Sequence, residues 1–267
     1  MSKQAFCAAV RLTRQAYYKG RRARRRREID EEAIVEVVRA ERRVQPRLGT
    51  RKLLNIVRRE LKGNGVKMGR DRFFELLRQK GLLIERRDAR APRTTWSEHG
   101  FRKYDNLLVD VVLTGPHEAW VSDITYVRTE EGFLYVFLIT DRWSRKIVGY
   151  TGASTLEAEG GMRALSMAVS QLPKGKRPIH HSDRGIQYCC WEYVEMLEER
   201  GIRVSMTKDN HCYENAVAER VNGILKQEYW LGERFKTRGQ AIEALEQAVW
   251  LYNTRRPHTS LAYKTPS

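Results

Sequence analysis

Trp120-Val121-Ser122-Asp123-Ile124-Thr125-Tyr126-Val127 is the stretch on which the fold turns. Its β-branched and aromatic residues favour an extended strand, and alternation places Val121, Asp123, Thr125 and Val127 on one face. A carboxylate on a mostly apolar strand face is costly unless it is hydrogen-bonded, paired or bound to a metal. Just downstream, Phe133-Leu134-Tyr135-Val136-Phe137-Leu138-Ile139 is apolar throughout, as in a strand buried on both faces. Working outward, the pattern predicts an antiparallel meander over Ala119–Arg128, Phe133–Thr140 and Lys146–Thr151. A helix over Leu156–Gln171, a strand over Pro178–Asp183, a helix over Trp191–Arg200 and a strand over Arg203–Met206 follow. A helix through Glu219 and a last one over Arg238–Tyr252, with Ile242, Leu245, Val249 and Trp250 inward, complete the core.

Two further acids stand out. Asp183 follows the strand-like Pro178-Ile179-His180-His181-Ser182 and precedes Gly185, and strand ends are where α/β sheets present ligands. Glu219 lies where Val217, Val221, Ile224 and Leu225 recur at helical spacing, and Asn215, Asn222 and Lys226 share its face. Thirty-five residues separate Asp183 from Glu219. Each acid has an ordinary reading: a hydrogen-bonded strand Asp, a turn Asp, a solvated helix Glu. Together they run strand, strand end, helix, and phosphodiester transfer needs such convergence, because hard cations about 4 Å apart must be held by carboxylates from separate elements. Asp141 closes the second strand as a turn-maker rather than a ligand, and His180, His181 and Gln187 border Asp183 in orienting or packing roles.

The net charge of +17 is unevenly shared. Residues 1–100 hold 28 Lys and Arg against 12 Asp and Glu, whereas residues 101–267 hold 22 against 21. This asymmetry is the footprint of phosphate-backbone binding, densest at Arg24, Arg25, Arg26 and Arg27. Four segments of residues 1–84 read as helical: 4–19, Asp30–Val44, Thr50–Leu61 and Arg70–Lys80, the last ended by Gly81. Residues 85–104 are basic and aperiodic, as in a linker. The four cysteines show neither C-x-x-C spacing nor a disulfide framework, His211 beside Cys212 lacks matching partners, and His99 is the only histidine of the first hundred residues. No secretory signal and no long apolar run occurs, which places the expected protein in the cytoplasm, meeting the nucleoid, without a membrane partner.

Five ordered blocks resemble the second-frame transposases of the IS-three group of bacterial insertion sequences, relatives of retroviral integrases: W-V-S-D-I-T-Y-V (120–127), D-R-W-S-R-K-I-V-G (141–149), H-H-S-D-R-G-I-Q-Y (180–188), N-A-V-A-E-R-V-N-G-I-L-K-Q-E (215–228) and Y-N-T-R-R-P-H (252–258). Upstream, Pro46–Lys52 and Met68–Leu77 resemble the same family. The resemblance implies an α/β ribonuclease H-like mixed sheet flanked by helices, behind an all-α helix-turn-helix-like domain. The implied division is 1–28 as a basic helical segment, 29–84 as the DNA-binding domain, 85–110 as a linker and 111–267 as the catalytic core with its C-terminal helix. It implies Asp123, Asp183 and Glu219 as metal-binding catalytic residues for two Mg2+ ions, with Mn2+ as a substitute. DNA contacts are expected from Lys226, Arg24–Arg27, Arg51, Lys52, Arg70 and Arg72. The implied activity is cleavage and strand transfer of an insertion sequence, with terminal inverted repeats and target DNA as partners and a multimer on DNA. The resemblance also implies an upstream A-frame protein or fusion that supplies helix-turn-helix and leucine-zipper segments, and no sustained heptad repeat that could act as such a zipper is seen here. The competing readings are a non-catalytic regulator of an insertion element and a structure-specific nuclease on the same fold.

Overall fold

The computed structural model describes Cys7 and residues 9–84, 100–208 and 215–267. Most of the basic linker, His99, and the His211–Cys212 pair lie outside the described residues. The chain divides into two compact units, Met1–Glu85 and Arg86–Ser267.

In the first unit α1 (Arg14–Val44), α2 (Thr50–Glu60) and α3 (Arg70–Gln79) enclose Ile34, Val38, Leu53, Val57, Phe73, Leu76 and Leu77. The Thr13 hydroxyl accepts from the Ala16 amide at 3.1 Å and caps α1. The helices expected to end near Tyr17-Tyr18 and to begin at Asp30 are one continuous helix, so the expected boundary at residue 28 falls inside α1. The arginines between them are good helix formers, and Gly20, the one weak residue there, faces open space. Gly81, at φ 65°, ends α3 with Leu82 donating its amide to the Leu77 carbonyl at 2.7 Å.

The second unit is built on β1 (Ala119–Thr129), β2 (Gly132–Asp141), β3 (Ile147–Ala153), β4 (Ile179–Ser182), β5 (Arg203–Met206) and the short β6 (Arg234–Phe235). The sheet order is β3-β2-β1-β4-β5; β2 is antiparallel to β1 and β3, while β4 runs parallel to β1 and β5. This is the ribonuclease H-like mixed sheet. Its helices are α4 (Ala158–Ser170), α5 (Ile186–Cys189), α6 (Trp191–Glu199), α7 (Ala216–Glu228) and α8 (Arg238–Thr254). From Leu134 onward the apolar strand β2 is buried on both faces, as its composition predicts, whereas Phe133, expected to be buried with it, is 46% exposed. Phe137 and Ile139 pack with Ala164, Leu165, Tyr193 and Leu197, while Leu134, Val136 and Leu138 pack with Val221, Ile224, Leu245 and Val249.

Helix α4 lies unusually close to the sheet. A Cβ on Gly149 would stand 2.1 Å from the Ala164 carbonyl oxygen, and one on Gly160 2.4 Å from Phe137 Cε2. One expectation fails on α8: Trp250 is 59% exposed, and the buried stripe is Ala241, Leu245, Ala248, Val249 and Tyr252. Nine residues past Ala241, at about 100° each, Trp250 lies on the opposite side of the helix. Part of the segment expected to be linker is packed on this unit. Tyr104 rests on the core around Trp120, Leu108 is buried with Ala119 and Ile179, and the Leu107 amide donates to Ser205 Oγ at 2.9 Å.

Candidate active site

Asp123 sits on β1, and Asp183 directly follows β4. The register Ala119–Ile179 and Val121–His181, carried forward two residues, sets the two acids side by side on neighbouring parallel strands. They line one pocket together with Thr125, Tyr126, Gly185 and Gln187. Asp123 is half-buried; burial first, then Asp183, and least of all Glu219, push its pKa up to about 7, against hydrogen bonds that lower it. Those bonds come from the Ile124 amide to Oδ1 at 2.9 Å and Asn222 Nδ2 to Oδ2 at 2.6 Å. Asp183 Oδ1 accepts from the Gly185 amide at 3.0 Å, an Asx-type turn that aims the carboxylate back over the strand end.

The third acid is placed differently. Glu219 is exposed on the first turn of α7, close enough to act on Asp123 but not locked against it. Among the described residues no three His, Cys, Asp or Glu side chains cluster tightly enough to hold an ion. The helix face read as polar and solvated is instead half inside: Asn215 and Asn222 are buried against β1, Asn215 Nδ2 donating to the Ser122 carbonyl at 2.9 Å. The sequence does place Asn222 on the Glu219 face; the hydrogen bond to Asp123, 99 residues away, is visible only in three dimensions.

Lys226 is half-buried, its Nζ 4.3 Å from the centroid of the Tyr126 ring. Burial lowers its pKa, with Asp123 raising it and Arg128 lowering it further. Tyr126 packs edge-on against Phe133 at 5.2 Å, so a strand aromatic three residues past Asp123 holds the Lys226 ammonium. The remaining cations lie in the first unit. Arg24–Arg27 and Arg51 are exposed and Lys52 is half-buried, while Arg70 pairs with Asp71 at 2.9 Å and Arg72 with Glu31.

The bordering histidines are core residues. His180 Nε2 lies 2.7 Å from Ser122 Oγ and 2.9 Å from the Tyr193 hydroxyl, and burial, reinforced by His181, drives its pKa down to about 3. His181 Nδ1 meets Ser205 Oγ at 2.9 Å. Gln187 Nε2 donates to the Leu156 carbonyl at 2.9 Å. Asp141 is fully buried and makes the turn as expected: Oδ1 accepts from the Ser144 amide at 2.6 Å and Oδ2 from the His117 amide at 2.6 Å.

Two family models, each described as an integrase core domain, match residues 114–212 and 200–266. The transposase InsF for insertion sequence IS3A of Escherichia coli is 31% identical over 242 residues, covering 89% of this chain and 82% of that protein. The chain belongs to the IS3-type insertion-sequence transposases. An uncharacterized 31 kDa protein of insertion element IS600 from Shigella sonnei is 35% identical to this transposase over 266 residues, 98% of this chain and 96% of its own. Among solved structures, the HTLV-2 integrase catalytic core domain in complex with magnesium has a TM-score of 0.44 at 21% identity, covering 57% of the transposase and 94% of that chain. A simian T-cell lymphotropic virus intasome with a phosphatase subunit has a TM-score of 0.49 at 19% identity, with 82% and 69% covered. The transposase is thus a DNA-acting polynucleotidyl transferase. No helix among the described residues is long and apolar enough to cross a membrane.

Proposed function

We propose that Asp123, Asp183 and Glu219 are the catalytic carboxylates of DNA cleavage and strand transfer, holding two Mg2+ ions for which Mn2+ substitutes. The observation that supports this most is that Asp123 and Asp183 line one pocket, where burial first and the neighbouring Asp183 second push the Asp123 pKa up to about 7; a divalent cation held by both acids would relieve the burial cost and the repulsion. When bound, such ions activate an oxygen nucleophile and stabilise the leaving oxygen. The chain's own part is to hold the acids. Asn222 fixes Asp123 Oδ2, the Gly185 amide fixes Asp183 Oδ1, and Glu219 completes the set from the exposed first turn of α7. Lys226, propped on Tyr126, sits on the same helix face as Glu219 and touches the phosphate of the DNA end.

Arg24–Arg27, Arg51, Lys52, Arg70 and Arg72 contact DNA from the first unit, whose three helices act as a helix-turn-helix-like reader. DNA binding is carried by the first unit, Met1–Glu85, and catalysis by the second, Arg86–Ser267. The reaction takes place in the cytoplasm on a multimer assembled over terminal inverted repeats and target DNA. An A-frame partner or fusion supplies end recognition. The test is strand transfer of element-end DNA with the A-frame protein present. Asp123→Asn, Asp183→Asn and Glu219→Gln should each lose roughly a thousandfold or more in joined product, and a Glu219→Gln variant that still joins strands would remove Glu219 from the catalytic set.

A further inference from the structure

Two of the sequence blocks, Asp141–Gly149 and Tyr252–His258, take no part in the carboxylate pocket, yet they meet. The Asn253 amide pairs with Ile147 through both of its groups, donating to the carbonyl at 2.9 Å and accepting from the amide at 2.9 Å, as a neighbouring strand would. Arg256, 2% exposed, grips Glu228 with two bonds of 2.8 Å. The tail then folds back: the His258 amide donates to the Lys264 carbonyl at 3.0 Å and the Ser267 amide to the Asn253 carbonyl at 3.0 Å.

This packing builds an open cleft of about 620 Å³ between the β2–β3 turn and the tail, lined by Arg142, Trp143, Arg145 and Lys264 together with Leu113 and Leu261. It stands at the sheet edge where β1 begins, since Trp120 pairs with Asp141, whereas Asp183 follows the far end of the parallel strand β4. No acidic side chain lines it. Among the described residues none of the three cations makes an ion pair, and the buried Arg142 Nη1 has no hydrogen-bond partner. The nearby Asp141 carboxylate is buried behind the turn, both oxygens already engaged. Trp143 is 44% exposed. Arg145 adopts φ 65°, a left-handed conformation uncommon for a side chain of this size, held here by its amide donating to the Asp141 carbonyl at 2.9 Å.

Uncompensated cations with an accessible aromatic face and no acid fit a polyanion, and backbone charge plus a flat ring reads no base edge. We propose that this cleft is a second DNA-contact surface of the transposase, holding the target duplex by its phosphate backbone independently of sequence. Arg142, Arg145 and Lys264 neutralise phosphates, and Trp143 stacks where the duplex is distorted. The proposal rests on the chain being a DNA transposase, but not on the roles assigned to the carboxylates.

The test uses the full chain with Arg142→Gln, Arg145→Gln and Lys264→Gln combined, and Trp143→Leu and Lys264→Gln singly, folding being checked by thermal unfolding. Binding of a random-sequence duplex is followed by fluorescence anisotropy across a salt series. Loss of three phosphate contacts should lower the slope of log affinity against log salt by about 2–3. Bromodeoxyuridine-substituted target DNA should photo-cross-link to the peptide carrying Trp143, and Trp143→Leu should abolish that cross-link. In joining assays the triple variant should cleave element ends at the wild-type rate while needing at least tenfold more target duplex. An unchanged salt slope in the variants that fold, or cross-links confined to element-end DNA or absent from residues 142–145 and 264, overturns the proposal. Loss of end cleavage in the carboxylate variants bears on the catalytic site alone.

Discussion

Asp123→Asn should abolish activity and at the same time stabilise the metal-free protein. The carboxylate's pKa rises from 3.8 to about 7 on folding, so its charge is tolerated better in the unfolded chain. The sign follows directly: the destabilisation is fully present above the folded value, shrinks as pH falls between the two values, and is gone below 3.8. Three units at about 1.4 kcal/mol each set a ceiling of about 4 kcal/mol. Asp123 is only half-buried, and screening by solvent reduces the expectation to about 1–2 kcal/mol at pH 8. Asn fits the site because Asn222, whose Oδ1 has no partner, can flip to accept from the new amide while the Ile124 amide keeps its acceptor. For a unit of this size the gain corresponds to a melting temperature higher by roughly 3–6 °C. Calorimetry in EDTA at pH 8, 5 and 4 should show the advantage at its largest at pH 8, smaller at pH 5 and smallest at pH 4. A variant that melts at or below the wild type at pH 8, or whose advantage is independent of pH, would refute the reasoning.

Four other outcomes are expected. Millimolar Mg2+ or Mn2+ should raise the melting temperature of the wild type and leave that of Asp123→Asn nearly unchanged, because binding to the folded state alone is what stabilises; an equal shift in both places the ion elsewhere. Gly149→Ala drives a Cβ onto the Ala164 carbonyl at 2.1 Å and should cost about 3 kcal/mol or more, seen as a fall in the urea midpoint. Arg256→Met takes both of its hydrogen bonds from the partly buried Glu228 carboxylate, at a cost of about 3 kcal/mol, while adding Glu228→Leu should restore much of it, a coupling that a double-mutant cycle measures. His180, neutral with its pKa lowered from 6.5 to about 3, loses the protein stability as pH falls between those values; His180→Gln should flatten that acid limb in a series of melting curves.

Much of the fold is legible in the chain because its signals are local. Strand alternation around Asp123, the apolar run of β2 and the helical spacing of Val221, Ile224 and Leu225 each report a segment's own periodicity. The errors have the same origin. Trp250 is apolar, yet it lies on the far side of the helix from the stripe through Ala241, Leu245 and Ala248 that meets the sheet, so apolarity alone misplaced it. The arginine run in α1 reads as a break between helices, yet nothing in it opposes helix continuation. The short elements α5 and β6 are too brief for periodicity to announce.

By itself the sequence determined the order of strands and helices, the concentration of positive charge in the first hundred residues, and the three acids whose order and spacing resemble a transposase core. The tertiary structure decided what those residues face. It set Asp183 beside Asp123 and raised the latter's proton affinity, left Glu219 exposed while burying Asn222, and joined a turn to a tail more than a hundred residues later in a cationic cleft. Secondary structure follows from neighbours three or four residues apart, whereas electrostatic coupling and desolvation depend on distance through space.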